Sequence, residues 1–331
     1  MDATPDMAGF VVVDTSEEGQ LVVWDGWAWQ RRELTKVLPP NVPWPGENEI
    51  EAVLLRHGLS GANSAAAVSV PARITDDVYL VCSWPAHTYL IDCGSEGLAL
   101  IDPGLAANFA TITQNVDQLD LRSNAIRWVL NTHAHFDHSM ADRLFRERGA
   151  QICIGEADAV AVEDETHLTA NYLMPDIVPD YPKTKVDRRL ADGQHLELGN
   201  KSLHVIATPG HTPGSSCFLL ESEGTTMLFS GDTVLHDFRL GWSGISGDDH
   251  AYLRSLHKLE DFQRRNHGSI RWDVILPGHG TIVMSQGWTD IDKAVRAVQD
   301  ALLNDAPVPP LPFDDASYRG GMYGRPQCAR N

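Results

Sequence analysis

The sequence has no long apolar run, little positive charge and no paired-cysteine motif. No stretch approaches the roughly 18 consecutive apolar residues of a bilayer span, so no membrane-spanning helix is expected. The opening segment MDATPDMAGFVVVD holds neither Lys nor Arg, and its apolar run is short and closes at Asp14. It reads as neither a secretory signal nor a twin-arginine signal, and the expected location is cytoplasmic. The five cysteines are Cys82, Cys93, Cys153, Cys217 and Cys328, an odd count without a C-x-x-C spacing. Neither a disulfide framework nor a thiolate zinc site is expected from them. All but Cys328 sit in β-like apolar runs, where a free thiol behaves as a small hydrophobe.

Basic residues number 26 against 45 acidic ones, for a formal charge of −19. A diffuse anionic field repels nucleic acid and anionic membrane surfaces. A small anionic substrate stays open, because a bound metal ion can dominate its local field.

What is present divides into three stretches. The 331 residues, 43% of them hydrophobic, suffice for one large core with appendages. Residues 1–75 read as an N-terminal extension, a strand-rich cap with a Pro-rich connector. In it GFVVVDTSEEGQLVVWDGWAW gives two short strands around a turn at Glu17–Gly19, and VLPPNVPWPGE is the connector. Trp24, Trp27, Trp29 and Trp44 read as a cap packed on the core, with a homodimer surface or a substrate lid as the alternative.

A strand rhythm starts near residue 76 and carries the main domain to about 285. The runs are VYLVC, HTYLIDC, LALID, WVLNT, QICIG, LHVIA, SCFLL, TMLFS and DVILP. Residues 139–148, 249–265 and 288–303 read as amphipathic helices. Strands with helices between them predict an α/β layered domain. Residues 286–331 give a C-terminal helix and a Gly-rich tail.

The chemistry concentrates in LNTHAHFDHSM, residues 130–140, where three histidines and an aspartate fall between His133 and His138. In extended backbone, side chains two apart face the same way, so His133 and His135 can point at one centre. Asp137 and His138, where the chain turns into a helix, can point at a second. Two half-sites need ligands from elsewhere. ATPGHTPGSS supplies His211, LFSGDTV supplies Asp232 and ILPGHGT supplies His279. Each follows an apolar strand and a tight turn, and strand ends are where α/β proteins place ligands. A lone histidine after a strand means little; the recurrence at four strand ends points to metal.

THAHFDH (132–138), PGHT (209–212), SGDT (230–233) and PGHG (277–280) together resemble the metallo-β-lactamase-fold hydrolase superfamily. In order and spacing they resemble the dinuclear branch that includes glyoxalase II and lactonases. The resemblance covers roughly residues 76–285 and implies an αββα sandwich with the site at one edge. It implies two Zn²⁺, with Mn or Fe as alternatives, since His and Asp ligands accept several metals. By the same resemblance His133, His135 and His211 bind the first ion, Asp137, His138 and His279 the second, and Asp232 bridges them. Zinc β-lactamases of one group carry Cys where Asp232 stands, and another group uses no bridging carboxylate, which lowers the antibiotic-hydrolysis reading. The segment after His279 is short for the helical glutathione-binding domain of glyoxalase II.

The implied chemistry is hydrolysis by a metal-bridging hydroxide, with Asp137 and Asp232 as the catalytic carboxylates. A water on divalent ions has its pKa lowered to about 7, so hydroxide is available at neutral pH. The expected substrate is a small acyl or lactone compound: a thioester, lactone or carboxylic ester. Tyr172 and Tyr181 in the loop 165–187, together with His236 and Trp242, are the candidate substrate contacts, because an apolar pocket with few polar groups suits an acyl chain. The alternatives are β-lactamase or phosphodiesterase action on the same site. A further one is a persulfide dioxygenase with a single iron at His133, His211 and Asp232. A scaffold with a vestigial site is disfavoured, because all seven ligand positions are filled.

Overall fold

A computed structural model describes residues 65–304, apart from 172–179, 237–246, 266–271 and positions 84, 223, 273, 281 and 285, together with three strands nearer the N-terminus. Two sheets stack face to face. The first holds β5 (Ala72–Arg73), β6 (Val78–Cys82), β7 (Thr88–Asp92), β8 (Leu98–Ile101), β9 (Ile126–Asn131), β10 (Gln151–Gly155) and β11 (Arg188–Leu190) in the order β11-β10-β9-β8-β7-β6-β5. The second holds β1 (Phe10–Asp14), β4 (Ala65–Ser69), β12 (His195–Leu198), β13 (Lys201–Ala207), β14 (Ser216–Ser222), β15 (Thr225–Gly231), β16 (Val274–Pro277) and β17 (Ile282–Val283). Its order is β12-β13-β14-β15-β16-β17-β1-β4. β2 (Gln20–Trp24) pairs with β3 (Trp29–Glu33).

The two-residue period of a strand sorts each apolar run between two cores. Tyr89 and Ile91 of β7, Ala99 and Ile101 of β8, Phe218 and Leu220 of β14, and Met227 and Phe229 of β15 fill the space between the sheets. The residues between them face outward. Leu90, Leu100, Val129 and Ile152 meet Ile112 and Val116 of helix α1 (Asn108–Gln118). Leu219, Leu228 and Ile275 meet two long helices of the C-terminal half, introduced next. Because both faces of each sheet are covered, the strands read as continuous apolar runs rather than alternating ones.

Short helices α2 (Phe136–Ser139), α3 (Asp142–Glu147) and α4 (Glu156–Asp164) follow β9 and β10. The long helices α5 (Asp249–Arg265) and α6 (Trp288–Leu303) lie on the second sheet through Tyr252, Leu256, Ile291, Ala294 and Val298. The result is the αββα sandwich. Among the described residues no helix is long and apolar enough to cross a membrane.

Strand direction brings the chemistry to one edge. β8, β9 and β10 run parallel, and so do β15 and β16. β13 is two antiparallel steps from β15 and so points the same way. The residues that follow β8, β9, β13, β15 and β16 therefore emerge together.

Several expectations change in detail. The helix expected over 139–148 is two helices, because the Ala141 N–H turns to the Gly104 carbonyl (2.9 Å) and breaks the ladder. The strands flanking Glu17–Gly19 exist but do not pair with each other: β1 pairs with β4 and β17, β2 with β3. Two strands from the 1–75 stretch thus extend the second sheet. Helix α1 was not expected, since its buried stripe is Asn108, Ile112, Asn115 and Val116, two of them polar.

Phe229 is fully buried in the inter-sheet core, the largest apolar cluster among the described residues, so Phe229→Ala should cost about 3–5 kcal/mol. A change at the exposed Glu156 should stay within about 0.5 kcal/mol. Urea denaturation followed by circular dichroism checks both.

Candidate metal centre

All seven expected ligands are buried and meet at the shared edge. Their donor atoms fall into three overlapping groups, each with every pair of atoms within 4.8 Å: His133–His135–His211, His133–His138–Asp232 and Asp137–His138–His279. β9 ends at Asn131, the chain bends at Thr132 and His133, and α2 begins after His135. That geometry aims His133 and His135 together and turns Asp137 and His138 toward the other side.

The carboxylate of Asp232 lies between the halves. Its Oδ2 is 3.6 Å from His211 Nε2 and 3.5 Å from His279 Nε2, and its Oδ1 is 3.5 Å from His138 Nε2. Asp137 Oδ2 lies 3.3 Å from His279 Nε2 and 3.8 Å from His138 Nε2.

Outer partners fix which ring nitrogen carries the proton. His138 Nδ1 donates to Asp102 Oδ2 (2.9 Å), and His279 Nδ1 donates to the Pro85 carbonyl (2.9 Å). Thr132 Oγ1 donates to Asp102 Oδ2 (2.7 Å) and so can accept from His133 Nδ1 (3.1 Å). Each of these rings therefore presents an Nε2 lone pair inward. Those nitrogens nearly touch: His138 and His279 Nε2 are 3.2 Å apart, His133 and His211 Nε2 are 3.2 Å apart, and His211 Nε2 is 3.0 Å from His135 Nδ1. Nitrogens crowded this closely around the buried Asp232 Oδ1, which lacks any hydrogen bond, form a ready seat for a cation. The donor set of imidazoles and carboxylates fits a divalent metal.

The charges agree. Burial depresses His133 well below the usual imidazole range, helped by the neighbouring imidazoles, and pushes His135 down to about 3, helped by His211. Burial also opposes charge on His138, but Asp137, Asp232 and Asp102 overcome it and raise that ring to about 10. His279 is raised against its burial by Asp232 and Asp137. Asp137 is held below the carboxylate range, where His138 and His279 outweigh burial. One half thus rejects protons, and the other half holds them where a metal ion would replace them.

The supporting residues were not singled out from the sequence. Asp102 closes β8, is buried, and takes the left-handed backbone with φ 53°. Its Oδ1 accepts the Thr132 N–H (2.7 Å), so one carboxylate joins two strand ends to His138. Its signal was available: LALID followed by Pro-Gly repeats the strand, turn and ligand-type-residue pattern. Asp158 of α4 accepts the Ala134 N–H (3.0 Å), the Thr212 hydroxyl (2.7 Å) and the Gly214 N–H (2.6 Å), tying the His135 and His211 turns together. Gly278 is needed because a Cβ there would overlap Asp232 Oδ1 and His138 Cε1.

The candidate substrate contacts fare differently. Tyr172 and Trp242 lie outside the described residues. Tyr181 is buried, packs with Leu105 and Phe136, and its hydroxyl pairs with Ser139 Oγ (2.7 Å), so it fastens the loop to α2. His236 directs Nδ1 to Asp290 of α6 (2.9 Å).

Comparison with known proteins bears on this geometry. The model of the metallo-beta-lactamase superfamily matches residues 84–279. A protein of Burkholderia pseudomallei described as a probable metallo-hydrolase is 30% identical over 271 residues, covering 72% of this chain and 90% of that protein. The atrochrysone carboxyl ACP thioesterase of Aspergillus fumigatus is 27% identical, over 66% of this chain and 58% of its own length. The crystal structure of a subclass B3 metallo-beta-lactamase of Bradyrhizobium japonicum superposes with a TM-score of 0.56 at 25% identity, covering 71% of this chain and 94% of that one. The described fold and the match across the ligand turns agree, and the chain belongs to the metallo-β-lactamase superfamily.

Proposed function

We propose that this metal-dependent hydrolase is dinuclear and cleaves an ester-type bond of a small molecule: a thioester, a lactone or a carboxylic ester. The observation that carries the reading is Asp232, whose Oδ2 lies between His211 of one set and His279 of the other, with Oδ1 beside His138 of the second set. His133, His135 and His211 would hold one ion, Asp137, His138 and His279 the other, and Asp232 would span them. Zinc suits this set best, with manganese or iron as alternatives. When bound, such ions supply a water acidic enough to attack near neutral pH and a Lewis acid for the carbonyl.

The chain's own residues do the rest. Asp102, Thr132 and the Pro85 carbonyl lock three imidazoles with Nε2 inward, so the site needs little reorganisation when it is loaded. Asp137 Oδ2 lies beside His279 Nε2 (3.3 Å), and Asp137 is the carboxylate we assign to take up a proton during turnover. The relative that is named a thioesterase supports a thioester substrate, and the net charge of −19 speaks against a nucleic-acid substrate. β-Lactam hydrolysis is the second reading, favoured by the likeness to the Bradyrhizobium enzyme. A single iron held by His133, His211 and Asp232 would leave the buried donor group of Asp137, His138 and His279 without an ion.

Elemental analysis of protein purified without added metal should return about two zinc per chain. A panel of thioester, lactone, aryl ester, β-lactam and phosphodiester substrates should show ester-type turnover, and Asp232→Ala should lose both metal and turnover. About one iron per chain, with oxygen uptake and no hydrolysis, would overturn the reading. Asp102→Asn keeps the shape but sets an amide against two donors, and should lower activity about 10–100-fold. Gly278→Ala should remove the second metal equivalent while the protein stays folded by circular dichroism.

A further inference from the structure

Beyond the seven ligands, one histidine is built into the edge of the site. His87 precedes β7 and is buried at 5% exposure. Its backbone N–H donates to the Gly278 carbonyl (2.7 Å), and its ring Nε2 bonds the Gly280 carbonyl (2.8 Å). A carbonyl only accepts, so Nε2 carries the proton. The two bonds bracket His279 on both sides in sequence. Two neighbours reinforce them: the Pro85 carbonyl accepts from His279 Nδ1 (2.9 Å), and the Tyr89 hydroxyl donates to the Pro277 carbonyl (2.7 Å). Residues 85–89 thus grip each residue of Pro277–Gly280.

The grip has a physical purpose. The turn holds His279 on a backbone that carries two glycines, Gly278 and Gly280, the latter at φ 82°. Glycine gives the turn its shape but leaves it with more freedom to lose. Gly278 lies against Asp232 and His138, so a small shift of the turn would move His279 relative to both. Tyr89 is itself held in the inter-sheet core against Phe229 (ring centroids 5.5 Å apart), so the grip is anchored in the rigid part of the fold.

We infer that His87 is a positioning residue for the second metal centre: its ring N–H fixes the Pro277–Gly280 turn and so presents His279 Nε2 beside Asp137 and His138. This rests on the dinuclear reading above. It makes His87 necessary for one metal equivalent and dispensable for the other, since the Pro277–Gly280 turn it holds carries only His279 of the seven ligands.

The test is zinc titration of the metal-stripped full chain against a chromophoric chelator, with folding checked by circular dichroism. Wild type should bind two equivalents. His87→Ala should keep one tight equivalent and weaken the other about 10–100-fold. His87→Gln, whose amide nitrogen can stand where Nε2 stood, should restore most of the second affinity. His87→Asn, whose amide nitrogen falls at the Nδ1 position, should not, and its similar polarity guards against a variant that merely misfolds. Equal weakening of both equivalents, or no rescue by Gln relative to Asn, would overturn the inference while leaving the dinuclear reading intact. A wild type that binds one equivalent would overturn both.

Discussion

Everything at the active edge depends on one constraint: imidazole nitrogens are packed about 3 Å apart around buried carboxylates. Neutral imidazoles in water would not choose that arrangement. The fold imposes it by placing five strand ends at one edge and by occupying the outer nitrogens of His133, His138 and His279 with other partners. Three buried carboxylates, Asp102, Asp137 and Asp232, complete a cluster that needs positive charge. A divalent metal satisfies ring nitrogens and carboxylates at once, which is why these residues fit one.

The scaffold makes that arrangement affordable. Both sheets pack apolar residues on both faces, so the strands beneath the site are well buried and rigid. The turns above them are short and cross-linked by buried side chains. Asp102 joins the ends of β8 and β9, and Asp158 joins the His135 and His211 turns. The Tyr252 hydroxyl donates to the backbone carbonyls of Asp232 and Thr233, at 2.8 Å each. His138, His279 and Asp232 are thus each held by a bond to another element, and the site inherits the precision of the sheets rather than that of the loops.

Much of this was legible in the sequence because the physics is local. Ligand-type residues after apolar strands were visible as text, and the structure brings all seven together. Helices α5 and α6 were legible because their apolar stripes are regular, and QICIG has the bounds of β10. What escaped was non-local or disguised. α1 hides its stripe behind Asn108 and Asn115, whose side chains find buried partners in Cys82 and the Val81 carbonyl. Asp102 reads in the sequence only as the end of the run LALID, because its partners Thr132 and His138 are 30 and 36 positions away. His87 lies 193 positions from Gly280, and no periodicity predicts such a pairing. Tyr181 was read as a pocket residue from its aromatic character, whereas packing and Ser139 account for it.

The central claim is that the seven side chains converge on two ions with Asp232 between them. Anomalous diffraction from crystals of the zinc-loaded protein, collected on both sides of the zinc edge, tests it most directly. The account predicts two anomalous peaks, one among His133, His135 and His211 and one among Asp137, His138 and His279, with the Asp232 carboxylate reaching both. A single peak held by His133, His211 and Asp232, with His138 and His279 left facing each other, would contradict it.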